Sequence, residues 1–179
     1  VNDDSWDVAG PDYEFRRLIT VGTANPTGGG GPRAGDLVFR SDIRNPEWFF
    51  YDTSSSRSQW LSMRTFDLFF THASGAATYL DAHDTLVSSG TYGYLLDEDY
   101  TLCEFNILRD ATGTTPTYRL TANGTDIAQS IFLLTTDTVA WNQSLAIQRT
   151  RADVIGCRIL AGTSTGNVMA QARFRRRIT

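Results

Sequence analysis

The sequence predicts an all-β protein, a small antiparallel β meander followed by a β-sandwich or jelly roll. Three observations carry this. Thr, Ser and Gly are abundant while long helix formers are scarce, and the chain has no lysine at all; that balance favours strands and turns. Apolar and polar residues alternate over short runs, most clearly in "DYTLCEFNILRD", the mark of a half-buried strand. Turn chemistry separates these runs about every 8 to 14 residues, the spacing of antiparallel sandwiches.

Residues 1–24 read as an N-terminal anchoring arm, acidic and then basic, in which only residues 15–21 can form a short strand or helix. Residues 25–34, "NPTGGGGPRA", have nothing to bury and sustain neither helix nor strand, so they read as a linker or wide loop.

Residues 35–62, "GDLVFRSDIRNPEWFFYDTSSSRSQWLS", read as a three-stranded meander. Asn45-Pro46 sets its first turn and "TSSSRS" its second. In "WFFYD" strand alternation puts Trp48 and Phe50 on one face, Phe49 and Tyr51 on the other. A meander this small is marginal alone and needs a covering partner.

Residues 63–179 read as the sandwich. A strand is expected over residues 66–71, and a Ser-Gly turn lies in "TLVSSGTYGYLL". Tyr118, Leu120 and Ala122 share a phase. Asn123-Gly124 marks a tight hairpin, because both residues tolerate positive φ. "SLAIQRT", the turn at Arg151-Ala152-Asp153, "VIGCRIL" and "VMAQARFRRRIT" complete the series.

Composition sets limits on function. The net charge of -4 over 179 residues argues against a general nucleic-acid binder. No apolar run approaches the roughly 20 residues of a spanning helix, so no membrane insertion is expected. No basic segment followed by an apolar run opens the chain, which predicts no signal peptide. The all-arginine cation set fits either a GC-rich genome or interfaces built on forked, weakly hydrated pairs. Two cysteines are too few for a disulfide scaffold and lack zinc spacing. Cys103 is in phase with Phe105 and Ile107, and Cys157 with Ile155 and Ile159. Both are therefore expected to face a core as buried thiols, and could be bridged only if their strands were neighbours.

Two groups stand out as candidate surfaces. The aromatics Phe39, Trp48, Phe50, Tyr51 and Trp60 are expected to form the core or interface of the meander; the alternative is stacking of Trp48, Phe50 and Trp60 on sugar rings. On the last strand Arg173, Arg175 and Arg177 share one face, about 6.8 Å apart in succession. They suit an anionic ligand or an interface, or pair with the chain's own carboxylates. Either way something anionic must lie near them.

Other signals are weaker. Asp81, His83 and Asp84 are metal-ligand types without a convincing set, and no metal or cofactor is expected. The acids of "DEDY", residues 97–100, read as a solvated turn rather than a glycosidase pair. Asn123 and Asn142 begin glycosylation-type triplets by accident. No GxSxG, HExxH or P-loop is present, so no enzyme is expected.

The run "GDLVFRSD…EWFFYD…QWLS" resembles a unit of bacteriophage tail-fibre and related virion proteins. That unit consists of Gly-Asp, an aromatic strand, a turn, a strand ending in Tyr-Asp, a short turn, then Trp. Gly35-Asp36, Phe39, Tyr51-Asp52 and Trp60 take these places. The turns "IRNPE" and "TSSSRS" are longer than the pattern. The second half, with its "NGTDI" hairpin and "VIGCRIL" strand, resembles the terminal β-sandwich of phage fibres and the layout of trimeric jelly rolls of the tumour-necrosis-factor type. The resemblance implies a homotrimer in the virion, assembled in the host cytoplasm and anchored to other virion proteins by the arm. The roles it implies are a tail or head fibre adsorbing to the host, with a surface glycan as one receptor class, or a capsid decoration protein. A cellular carbohydrate-binding module is the third class, and would not need the arm.

Overall fold

A computed structural model describes residues 18–20, 32–53, 58–73, 79–82, 86–87, 92–132, 136–143, 145–163 and 166–178. Most of the arm, most of the linker, the centre of "TSSSRS", the Ser89-Gly90 turn, and His83 and Asp84 lie outside these residues.

The chain is all-β, and no helix occurs among the described residues. Fifteen strands follow in order: β1 (Leu18–Thr20), β2 (Leu37–Arg40), β3 (Glu47–Asp52), β4 (Gln59–Ser62), β5 (Phe66–His72), β6 (Asp81–Ala82), β7 (Leu86–Val87), β8 (Tyr94–Leu95), β9 (Tyr100–Arg109), β10 (Thr117–Ala122), β11 (Thr125–Phe132), β12 (Val139–Asn142), β13 (Ile147–Arg149), β14 (Val154–Ala161) and β15 (Val168–Ile178).

They form two sheets. The smaller runs β11-β10-β14-β8. The larger is organised around β15, which pairs with β9 along one edge and with β5, then β4, along the other. The meander β2-β3-β4 is thus hydrogen-bonded to the sandwich through Arg177↔Leu61 and Ile178↔Trp60. β1 adds to its far edge, parallel to β2, with Leu18 opposite Leu37. All other pairings are antiparallel.

The sandwich core follows from alternation. Ala170, Ala172 and Phe174 of β15 point inward and are fully buried. Register sets Phe70 and Ile107 beside Ala170, and Leu68 and Phe105 beside Ala172. Small residues on the central strand flanked by large ones let the opposing layer interdigitate. That layer supplies Tyr118, Leu120 and Ala122 of β10, paired with Ile159, Cys157 and Ile155 of β14. The hairpin between β10 and β11 turns at Asn123 (φ 51°) and Gly124 (φ 76°), the double left-handed geometry expected of Asn-Gly. The turn into β14 also forms as expected, with Ala152 at φ 71°.

One expectation is corrected. Cys103 does not join Phe105 and Ile107 in the core. The β9–β15 register slips between Glu104↔Arg173 and Leu102↔Phe174, so Cys103 is the extra residue of a β-bulge. The bulge reverses the phase and sends Leu102, a larger apolar group, inward at 0% exposure, leaving Cys103 half-buried. It coincides with the gap between β12 and β13 on the other edge of β9. Cys157 is in the core as expected, on a strand of the other sheet, and the two thiols are not bridged.

The meander has its own core. Val38, Phe49 and Trp60 are buried, with Ile43, Tyr51 and Ile178 against them.

Candidate functional site

The motif of the opening meander is built from residues that touch one another. Gly35 adopts φ 83°, a conformation costly for any residue with a Cβ. Its N–H donates to Tyr51 O at 2.8 Å, and Tyr51 N–H donates back to Asp36 O at 2.9 Å. The Asp36 carboxylate accepts from Arg33 N–H at 2.8 Å and closes the turn. Tyr51 lies opposite Trp60, ring centroids 5.1 Å apart. Gly35, Asp36, Tyr51 and Trp60 thus form one hydrogen-bonded and stacked unit.

The meander aromatics divide between two faces, as alternation requires. Tyr51 and Trp60 lie on the buried side. Phe39, Trp48 and Phe50 lie on the other, where Phe39 and Trp48 pack at 5.2 Å. Trp60 therefore cannot share a sugar platform with Trp48 and Phe50.

The arginines of β15 meet groups from within the chain. Arg173 makes a forked contact with Asp67, Nε to Oδ1 at 2.9 Å and Nη2 to Oδ2 at 3.3 Å, and reaches Glu104 at 3.0 Å. The bond to Asp67 raises the pKa of Arg173 above its ordinary value. Arg177 pairs with Asp99 at 3.2 Å. Arg175 has a different task. β5 leaves β15 after Phe66 and β4 joins only at Leu61, so the ladder is interrupted at the kink between them. Arg175 Nη1 donates to the carbonyls of Ser62 (2.8 Å) and Met63 (3.0 Å) at that kink, and its guanidinium lies 5.3 Å from the Phe50 centroid. Arg173 and Arg177 thus find their counter-charge inside the chain, while Arg175 between them meets neutral carbonyls and a ring.

The acids of residues 97–99 are engaged likewise. Asp97 accepts from Tyr100 Oη at 2.8 Å, Glu98 pairs with Arg176 at 3.1 Å, and Asp99 accepts from Arg151 N–H at 2.9 Å. The Asn123 side chain is also occupied: its Nδ2 donates to Asp153, and its Oδ1 accepts from Val154 N–H, each at 2.8 Å. Asp81 lies on β6, and no group of three metal-ligand side chains occurs among the described residues.

One open feature among the described residues is not foreseen by the sequence reading. The outer face of the large sheet carries three cross-strand rows, read over β5, β15, β9 and β12. The first is Thr71–Met169–Leu108–Val139, the second Phe69–Gln171–Asn106–Trp141, and the third Asp67–Arg173–Glu104. Trp141 is 64% exposed, and Phe69, Leu108, Val139 and Met169 are exposed with it. A groove of about 290 Å³ lies between Trp141, Gln143, Asn106, Gln171 and Met169. It shares Leu108 and Met169 with a wider trough of about 660 Å³ that runs on to His72, Asp81, Asp110 and Asn167. The Asn106 amide donates to Gln171 Oε1 at 3.3 Å, and Gln171 donates to Asp67 at 3.1 Å. Strand β12, which supplies Trp141, is hard to read from sequence because "VAWN" is four residues long and turns only Ala140 toward the core. Its Val and Trp in alternation were the available signal.

No protein-family model matches the sequence, and no curated protein matches it.

Proposed function

We propose that this chain is a non-enzymatic bacteriophage virion protein, a tail or head fibre that adsorbs to the host surface as a homotrimer. The single observation that supports this best is the contact geometry of the Gly-Asp…Tyr-Asp…Trp unit. Gly35, Asp36, Tyr51 and Trp60 occupy the places of the virion motif and are bonded to one another across the meander. A unit held this way is a rigid neck between an N-terminal arm and a displayed sandwich. β1 of the arm adds a strand to the neck's edge, a form of attachment that uses main-chain bonds and little side-chain information. In this role the arm grips other virion proteins and the sandwich faces outward.

Mixing the labelled protein with host cells and with undecorated capsids tests the assignment. Binding to cells is expected. Binding to capsids alone would replace the fibre with a capsid decoration protein. Sedimentation at micromolar concentration is expected to give a trimer; a species near the 19.9 kDa of one chain would sink the oligomer.

A further inference from the structure

We infer that the outer face of the large sheet is a binding groove for a neutral oligosaccharide, with Trp141 as its stacking platform. The inference deepens the adsorption role and takes its biological sense from that reading. The chemistry of the face argues for it independently.

An aromatic ring exposed as far as Trp141 loses apolar burial unless something covers it. The second row says what kind of partner fits. Phe69 and Trp141 stand at its two ends with the amides of Gln171 and Asn106 between them. Three strand spacings separate the ends, about 14 Å, the length of a short oligosaccharide rather than a single small ion. An amide offers both a donor and an acceptor, as a sugar hydroxyl does. The aromatic faces suit the C–H faces of a pyranose, and Met169 fills the apolar gap on the next row. A mostly apolar groove with a few convergent polar groups is the usual form of a small-ligand site.

Charge selects the class. The third row sets one guanidinium, Arg173, against two carboxylates, Asp67 and Glu104. The triad therefore carries a net -1 and offers nothing to a sulfated or carboxylated sugar. The trough adds Asp81 and Asp110 against one cation, Arg109, which is 2% exposed and bonded to the carbonyls of Asp137 and Thr114. Asn106 donates to Gln171, and Gln171 to Asp67, so the amide row is held in place before any ligand arrives.

The test uses the full chain and a panel of immobilised neutral and acidic oligosaccharides, with the parent, Trp141→Ala and Gln143→Ala. Both changes fall on exposed residues, so melting should be unchanged. Neutral oligosaccharides are expected to bind, and Trp141→Ala to weaken binding about tenfold or more. Acidic sugars bound in preference, or neutral ones bound equally by parent and Trp141→Ala, would overturn the site. So would a self-association that Trp141→Ala abolishes while no sugar binds; the face would then be an interface between copies. Cell adsorption is read separately. Adsorption without any oligosaccharide bound overturns the groove and leaves the fibre; oligosaccharide bound without adsorption does the reverse.

Discussion

The guanidinium of Arg176, on the last strand, reaches the carboxylate of Glu47, on the second strand of the meander, at 3.3 Å. Glu47 is 8% exposed and takes its other hydrogen bond from Ser62 Oγ at 2.7 Å. The pair ties the small core to the large one. Arg176→Met leaves that carboxylate buried beside a single hydroxyl, and should cost about 3 kcal/mol in urea unfolding. Glu47→Gln combined with Arg176→Met should cost less than Arg176→Met alone. A double mutant as unstable as the sum of the singles would show that the two do not interact.

The two faces of the meander should respond differently to truncation. Trp60 is 4% exposed and packs with Val38, Phe49 and Ile178. Trp60→Ala should destabilise by about 3 to 5 kcal/mol. Trp48 is 37% exposed on the opposite face. Its loss should cost only about 1 kcal/mol, mainly the contact with Phe39. Equal losses in thermal melts would mean that both faces are covered.

Asp126 makes the acid limb of stability testable. It accepts from Arg158 at 2.6 Å and Arg119 at 2.8 Å on the outer side of the small sheet. Desolvation raises its pKa, but the bonds from Arg158 and then Arg119 outweigh it, and the net shift is downward. A depressed folded value means stability that is full above the unfolded value, about 3.9, and is lost as pH falls through the folded one. Asp126→Asn should therefore be less stable than the parent near neutrality. The difference should shrink below about pH 4. A gap that persists undiminished in strong acid would contradict the ion-pair account.

The thiols should resist alkylation in the folded chain. Burial pushes Cys103 up to about 11, and burial alone pushes Cys157 higher still. Because the thiolate is the nucleophile, iodoacetamide near neutral pH should label neither at an appreciable rate. Unfolding in guanidinium should expose two sites per chain to mass spectrometry. Rapid native labelling of Cys157 would require the sandwich to open.

Much of this fold could be read from local pattern. The face of Ala170, Ala172 and Phe174, the Asn123-Gly124 turn and the two-sidedness of "WFFYD" depend only on period and turn chemistry, which are properties of neighbouring residues. The strand expected over residues 66–71 forms as β5 for the same reason. Cys103 escaped such reading because a bulge changes strand phase without leaving a mark in composition. The arginine stripe was legible as a stripe, and its need for counter-charge followed from spacing. Which groups answer it did not: Asp67 lies 106 residues from Arg173, and the Ser62 carbonyl 113 from Arg175.

What the sequence by itself determined is the alternation, the turns and the aromatic unit from Gly35 to Trp60, since each is decided within a strand or a hairpin. Only the tertiary structure decided that Phe69, Gln171, Asn106 and Trp141 form one row, because four strands distant along the chain had to be brought side by side in register. Cross-strand neighbours are set by hydrogen-bond pairing over long separations, and a one-residue slip would send every side chain of the slipped strand to the other face.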